Sequence, residues 1–207
     1  MRPYPPRRAA REGSVPRAAR GRVPRADPVS RGSDRPTAPG GDASDERLRH
    51  LRLSFRGEPP CDLAPIRGAI RTAVKPYALP ADARITVAFV RDEDMRALNR
   101  RYRKKDRTTD VLAFGQSVGR AKGERAARQL TRDADGELDV GDIVISAAQA
   151  QRQAKRRKRP LVREIAFLAA HGALHLLGFE DETPAGYREM VRLGTAATAD
   201  AVAASRG

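Results

Sequence analysis

The chain has 207 residues, of which 40% are hydrophobic, 32% charged and 4% aromatic, a composition that supports one ordinary domain but not a core along the whole length. Its formal net charge of +15 indicates either a polyanionic partner such as nucleic acid or an arginine-rich composition with no specific partner. The single cysteine, Cys61, excludes an internal disulfide and a cysteine-rich zinc module and fits a reducing, cytoplasmic location. The longest apolar run, residues 165–177, is too short and too interrupted to cross a membrane, so we expect a soluble protein.

The first 46 residues consist mainly of Arg, Pro, Gly, Ser and Ala and contain almost no large apolar side chain. Such a segment cannot offset the entropy cost of ordering, and we predict a disordered basic tail over 1–46 followed by one domain over 47–207. The arginines of the tail indicate either a loose RNA-binding arm or a solvated extension without a binding role.

The first half of the predicted domain alternates strands and helices. The spacing of apolar residues in LRHLRLSF, 48–55, predicts a strand, and Asp62 is placed to cap a helix that continues to about Tyr77. RITVAFV, from Arg84, is rich in β-branched residues and predicts a buried second strand. Asp92 begins a helix in which apolar side chains recur at helical spacing.

The second half adds two strands and three helices. TTDVLAF predicts the third strand, and GDIVIS, from Gly141, the fourth, while the polar residues 115–137 between them predict a mobile insertion. Helices are predicted for 146–155, from Pro160 to the glycine at 178, and from Thr183 or Pro184 onward. The order predicts an α+β single domain in which a small mixed four-stranded sheet packs with about five helices.

The stretch HGALHLLGFEDE, 171–182, predicts a metal site on the apolar helix. His171 and His175 are four residues apart and share one face, so both imidazoles can bind one ion. Gly178 can turn the chain back at the end of the helix, which places the third ligand near position 181, where Asp181 stands between Glu180 and Glu182. Two histidines and one carboxylate leave a position for water, as in catalytic zinc sites.

Three ordered segments resemble the YbeY family of endoribonucleases. HGALHLLGFED resembles the zinc-binding signature HGxLHLxGxDH of that family, LNRRYRKKDRTTDVLAF resembles the segment around its functional arginine, and GDIVIS resembles the strand that follows. The resemblance covers residues 47 to about 203. It implies that His171 and His175 are metal ligands and that Arg103 acts in catalysis or RNA binding. The third ligand of the family is histidine, whereas this chain has Asp181 at that position.

The function implied by the resemblance is a zinc-dependent, single-strand endoribonuclease with one Zn²⁺ per chain and no nucleotide cofactor. Its implied substrate is ribosomal RNA, notably the 3′ end of the 16S species, its partner the small ribosomal subunit, and its role ribosomal RNA maturation and ribosome quality control. A ribosome-assembly or RNA-binding protein with a degenerate metal site is the alternative, because Asp181 replaces a histidine. A metalloprotease is disfavoured because its motif requires Glu after the first histidine, where this chain has Gly172.

Two basic runs are candidate RNA contacts. Lys104 and Lys105 follow Arg103, and the run KRRKR, which includes Lys155, Arg156 and Arg157, precedes the predicted metal helix. Both runs can bind phosphates flanking a cut site, and both can be solvated surface loops, although the position of Lys104 and Lys105 in the resembling segment favours a function. Because aromatic residues are scarce, we expect selectivity to come from RNA shape or from a ribosomal partner.

Overall fold

The structure, a computed structural model, describes residues 51–204, apart from the side chains of residues 200 and 202–204. The predicted tail, 1–46, and the first residues of the predicted domain lie outside the described residues. The strands are β1 (Arg52–Arg56), β2 (Arg84–Val90), β3 (Val111–Gly115) and β4 (Asp139–Ser146). The helices are α1 (Ala64–Val74), α2 (Asp92–Arg103), α3 (Glu124–Gln129), α4 (Ala147–Arg156), α5 (Leu161–Leu176) and α6 (Pro184–Ala204), and a short 3-10 helix, Lys75–Tyr77, follows α1.

The four strands form one mixed sheet in the order β1-β2-β4-β3. β1 and β4 both pair in parallel with β2, and β3 pairs with β4 in the antiparallel sense. Residues 143–146 at the end of β4 are all buried, as expected for a central strand with both faces covered. The predicted α+β domain with a small mixed four-stranded sheet is confirmed.

Apolar residues cover both faces of the sheet. The larger core packs α1, α5 and α6 against one face, and Ile66, Ile85, Ile143, Ile165 and Leu174 are among its fully buried side chains. A smaller cluster under α2 contains Met95, Leu112 and Val144. The periodic apolar residues of α2 therefore face the sheet, as the sequence predicts.

The segment predicted as a mobile insertion contains structure that the sequence analysis missed. The helix α3 begins after Gly123, and Ala126 and Ala127 are buried. The Gln116 side-chain amide donates to the carbonyl oxygens of Thr131 and Asp139, at 2.8 Å in each case, which ties both ends of the segment together. The described residues thus contain six α-helices rather than about five. None of them is long and apolar enough to span a membrane.

Candidate metal centre

The helix α5 carries both predicted histidine ligands and packs directly against β4. Its residue Gly172 is buried, and a Cβ atom at this position would lie 2.6 Å from Cγ2 of Ile143. Any larger side chain would push the helix away from the sheet. The glycine that follows the first histidine is therefore explained by packing, and the site has no room for the glutamate that a metalloprotease would need there.

The C-terminus of α5 brings the acidic residues toward the histidines. Gly178 has φ of +75°, its N–H donates to the carbonyl of His175, and the N–H of Phe179 donates to that of Leu174. These two hydrogen bonds define a Schellman motif, which reverses the chain direction after the helix. The reversal places Asp181 beside the histidines, while Glu180 and Glu182 are exposed.

His171, His175 and Asp181 can each offer one ligand atom, and these three atoms lie within 4.8 Å of one another. Nε2 of His171 is 3.4 Å from Oδ2 of Asp181. Donor atoms bound to one tetrahedral zinc at about 2.0–2.1 Å are about 3.3 Å apart, so this pair already has the required spacing. The donor set fits a zinc ion with three protein ligands and one open position.

The two histidine rings are oriented by different neighbours. Nδ1 of His175 lies 2.9 Å from the carbonyl oxygen of Phe179. When Nδ1–H donates to this carbonyl, Nε2 of His175 keeps the lone pair that a metal needs. The His171 ring is stacked on Phe167 with centroids 5.8 Å apart, and its Nδ1 is buried without a hydrogen-bond partner among the described residues. The orientation of the His171 ring is therefore set by packing rather than by a hydrogen bond at Nδ1.

The electrostatics of the site favour a neutral His175. Burial, followed by the charge of His171, lowers the pKa of His175 from 6.5 to about 4, although Asp181 and the Phe179 carbonyl oppose the shift. The Arg103 guanidinium is also close enough to lower this pKa. A neutral imidazole is the form that binds metals, so the site is prepared for an ion near neutral pH.

Arg103 is the last residue of α2, and its charge contributes to the lowered pKa of His175. The turn after it is held by two polar contacts. The Arg96 guanidinium donates two hydrogen bonds of 2.8 Å to Asp106, and the buried Asn99 amide donates to the carbonyl of Arg107 at 2.6 Å. The charge of the predicted arginine thus acts on a predicted metal ligand, while Lys104 is exposed and Lys105 is half-buried on the same turn.

The KRRKR run divides into outward and inward side chains. Lys155 and Arg156 are exposed, but Arg157 is half-buried and forms an ion pair with Glu164, whose side chain is fully buried. Arg159 also contacts Glu164, at 2.5 Å. Burial raises the pKa of Glu164, and the two arginines oppose the shift. Arg157 thus supports the first turn of α5.

The basic run and the metal ligands lie far apart along α5. The two histidines are ten and fourteen residues beyond Leu161, or about 15 to 21 Å along the helix axis at 1.5 Å per residue. Three residues that hold predicted site residues in place were not predicted from the sequence, namely Phe179, Asn99 and Glu164. For Phe179 a signal was available, because the residue after the glycine of a Schellman motif returns toward the last helical turn.

These features define an α+β protein with a candidate metal centre, formed by two histidines on a buried helix and one aspartate in the turn that follows it. A family model described as Endoribonuclease YbeY matches residues 63–200. The chain belongs to the YbeY family, as the three resembling segments predicted.

Curated relatives agree with this assignment, and a solved structure shares the fold. Endoribonuclease YbeY of Geobacillus thermodenitrificans is 38% identical over 130 residues, covering 58% of this chain and 74% of the relative. The protein of the same name from Bacillus mycoides is 36% identical over 126 residues, covering 60% and 77%. The solution structure of TM1509 from Thermotoga maritima is similar with a TM-score of 0.50 and 20% identity, covering 74% of this chain and 91% of that one. This last likeness concerns the fold alone.

Proposed function

We propose that this chain is a zinc-dependent endoribonuclease that cuts single-stranded RNA during ribosomal RNA maturation, including the 3′ end of 16S rRNA, and in ribosome quality control. The observation that carries the proposal is the convergence of His171, His175 and Asp181 with the charge of Arg103 in a member of an endoribonuclease family. The proposed partners are ribosomal RNA and the small ribosomal subunit, in the cytoplasm. The formal charge of +15 supports a polyanionic substrate.

One zinc per chain would be held by His171, His175 and Asp181. When bound, zinc supplies a Lewis acid and lowers the pKa of a coordinated water. The protein contributes the orientation of the ligands, since the Phe179 carbonyl fixes the tautomer of His175 and the Phe167 ring packs against His171. The anionic Asp181 reduces the positive charge of the site relative to three histidines and makes it a weaker activator of water.

Arg103 would bind the phosphate that is cut. A guanidinium can donate two parallel hydrogen bonds to phosphate oxygens and stabilise the negative charge that develops on them during attack. The polar contacts that hold the turn after Arg103 reduce the reorganisation needed when the substrate binds. Lys104, Lys105, Lys155 and Arg156 would contact flanking phosphates, whereas Arg157 is assigned to Glu164.

Metal analysis of the purified chain tests the ligand set. We expect one zinc per chain in the wild type and loss of zinc in His171→Ala and His175→Ala. Asp181→Ala should retain zinc weakly, and Glu180→Ala and Glu182→Ala, which change exposed neighbours, are the matched controls. Equal zinc in the wild type and both histidine variants would refute the site.

Cleavage of a single-stranded RNA by the zinc-loaded chain tests the reaction. Arg103→Ala should reduce cleavage while zinc content and the thermal unfolding midpoint stay as in the wild type. Preparations of His171→Ala, purified in the same way, control for contaminating nucleases. If the wild type binds small ribosomal subunits but cuts no more RNA than His171→Ala, the chain is the non-catalytic assembly protein instead.

Asp181→His tests the one departure from the family signature. A neutral third ligand leaves more positive charge on the site, so we expect tighter zinc binding and faster cleavage near neutral pH. Slower cleavage with normal zinc content would show that the carboxylate of Asp181 contributes more than a bond to the metal.

Two double variants with the same change in net charge test the basic run. Lys155→Ala with Arg156→Ala should weaken RNA binding and lower the slope of log affinity against log salt by about 1 to 2. Arg157→Ala with Arg159→Ala should instead lower the free energy of unfolding, because Glu164 would remain buried without its partners. Equal loss of RNA affinity with unchanged stability in both variants would contradict this division.

A further inference from the structure

Phe179 links the metal centre to a part of the chain that the sequence analysis predicted as a mobile insertion. Its ring is 4% exposed. The Tyr77 ring, at the end of the 3-10 helix, packs against it with centroids 5.2 Å apart and planes inclined by 53°. The ammonium of Lys122 lies 5.1 Å from the ring centroid, within the range of a cation–π contact. Phe179 is therefore held from two sides by residues outside α5.

The backbone of the insertion contacts the same turn. The N–H of Gly123 donates to the carbonyl of Leu177 at 2.9 Å, which satisfies one of the carbonyls left open at the end of α5. The carbonyl oxygen of Ala121 approaches Gly178 so closely that a Cβ atom on the glycine would lie 2.1 Å from it. The segment 121–123 is thus packed against the turn that carries the carbonyl bonded to His175.

Lys122 makes a second contact that fixes its direction. Its ammonium lies 2.8 Å from Oε2 of Glu189 on α6, and the two side chains are 49% and 39% exposed. Exposed ion pairs of this kind contribute little to global stability. The ion pair matters for geometry rather than for stability, because it holds the Lys122 ammonium beside the Phe179 ring.

We infer that Tyr77, Lys122 and Gly123 form a brace that positions the Phe179 carbonyl for its hydrogen bond with His175, so that the insertion belongs to the metal centre. Tyr77 and Lys122 act through Phe179 and are positioning residues. The inference rests on the proposed metal site. Partners behind a ligand commonly change metal affinity by about 10- to 100-fold when removed, and residues one step further out should have smaller effects.

Binding of cobalt(II) to the full chain tests the brace, since tetrahedral cobalt absorbs visible light and its spectrum reports ligand geometry. We expect Tyr77→Leu to weaken cobalt binding about tenfold and Lys122→Met about threefold, with an altered visible spectrum in both. The conservative variants Tyr77→Phe and Lys122→Arg should restore affinity and spectrum, because they keep the ring and the cation.

The matched control is Arg132→Met. Arg132 belongs to the same insertion and forms an ion pair of 2.6 Å with Asp82, with side chains that are 48% and 47% exposed. It should leave cobalt affinity and spectrum unchanged. Lys122→Met removes an equally exposed cation, so it is expected to fold and carries the test even if Tyr77→Leu does not fold.

The outcomes separate the brace from the proposed function. If the wild type binds no cobalt and no zinc, the metal site itself fails and the brace falls with it. If the wild type binds cobalt, and Tyr77→Leu and Lys122→Met match its affinity and spectrum while only their urea unfolding changes, these residues are merely structural and the inference is overturned.

Discussion

The ends of α2 and α5 share a positive φ but have different residues at that position. Each helix ends at a residue in the left-handed region, Lys104 with φ of +55° after α2 and Gly178 with φ of +75° after α5. Each turn presents a predicted functional side chain, Arg103 in the first and Asp181 in the second. Both turns therefore contain a left-handed residue next to a predicted functional side chain, but their surroundings differ.

The turn after α5 is closely packed against residues 118–123. Ala121 leaves no space for a side chain at position 178, and the N–H of Gly123 binds the carbonyl of Leu177. The turn after α2 is exposed, and Lys104 and Lys105 both donate their N–H groups to the carbonyl of Asn99. A left-handed residue must be glycine where the backbone is closely packed, whereas a lysine is tolerated, at a cost in strain, where the side chain can extend into solvent.

Among variants that test this comparison, Gly178→Ala is expected to cause the largest loss of stability. The new Cβ would meet the Ala121 carbonyl at 2.1 Å, and the residue would keep an unfavourable φ. We expect a loss of about 4 kcal/mol in the free energy of unfolding, measured by urea denaturation without metal. Zinc affinity should fall as well, since the turn must shift to relieve the contact.

Gly119→Ala is the control for the backbone contribution alone. Gly119 has φ of +55°, and a Cβ atom there would have nothing within 4 Å. This variant should lose about 1 kcal/mol, the ordinary cost of placing alanine in the left-handed region. Similar losses at 178 and 119 would show that crowding by Ala121 is not the reason for glycine at the end of α5.

The next effect concerns the pH dependence of stability. In the unfolded chain His175 takes up a proton near pH 6.5, whereas the folded metal-free chain holds it neutral down to about pH 4. The unfolded state binds more protons between these values, so stability falls as pH is lowered through this window, by about 3 kcal/mol at most. Urea denaturation of wild type and His175→Asn at pH 7 and pH 4.5 isolates this term, and parallel losses in both would contradict it.

Arg103 allows a direct test that the two helix ends meet. Its charge contributes to the lowered pKa of His175, so Arg103→Met should raise that pKa, as followed by NMR titration of the metal-free chain. Arg100→Met, which removes an exposed arginine from the same helix, should have a smaller effect. If neither substitution changes the titration, the end of α2 is too far from the metal site for the proposed role of Arg103.

The convergence of His171, His175 and Asp181 could be predicted from sequence because its geometry is local. Residues four apart on a helix share a face whatever surrounds them, and a glycine at the C-terminus signals the reversal that brings Asp181 back. The strands β2 and β4 were predicted for a similar reason, since short apolar runs rich in β-branched residues have few alternatives in an α+β domain.

The direction of the basic side chains depends on partners that local patterns do not reveal. Arg157 and Arg156 are adjacent in one charge run, yet only Arg157 meets the buried Glu164. The helix α3 was missed because a six-residue helix has weak periodicity, and its buried Ala126 and Ala127 owe their burial to distant elements. The helix α3 and the Arg157–Glu164 ion pair both depend on tertiary contacts that local composition does not reveal.

A smaller effect is expected for Asn99→Ala, which removes a contact from within α2 to the exposed turn. Asn99 is 3% exposed, and its amide donates to the Arg107 carbonyl at 2.6 Å. Its loss should cost about 1.5 kcal/mol in the free energy of unfolding. Cleavage of RNA should fall further than this loss explains, because the turn after Arg103 becomes less ordered, whereas zinc content should stay normal. Normal cleavage in a folded Asn99→Ala variant would show that this turn needs no preorganisation.

The smallest effect, and the only gain in stability, is expected for Lys104→Gly. Lysine in the left-handed region carries about 1 kcal/mol or more of strain, while glycine adds up to about 1 kcal/mol of entropy cost on folding, so the net gain should be about 0.5 kcal/mol. Lys105→Gly is the matched control and should lose stability, because position 105 is not left-handed. Urea denaturation measures both variants, and a salt titration of RNA binding shows separately whether loss of the Lys104 charge weakens affinity. If Lys104→Gly is destabilised as much as Lys105→Gly, strain does not distinguish the two helix ends, and the lysine must hold the exposed turn through its side chain, which donates to the carbonyl of Arg101.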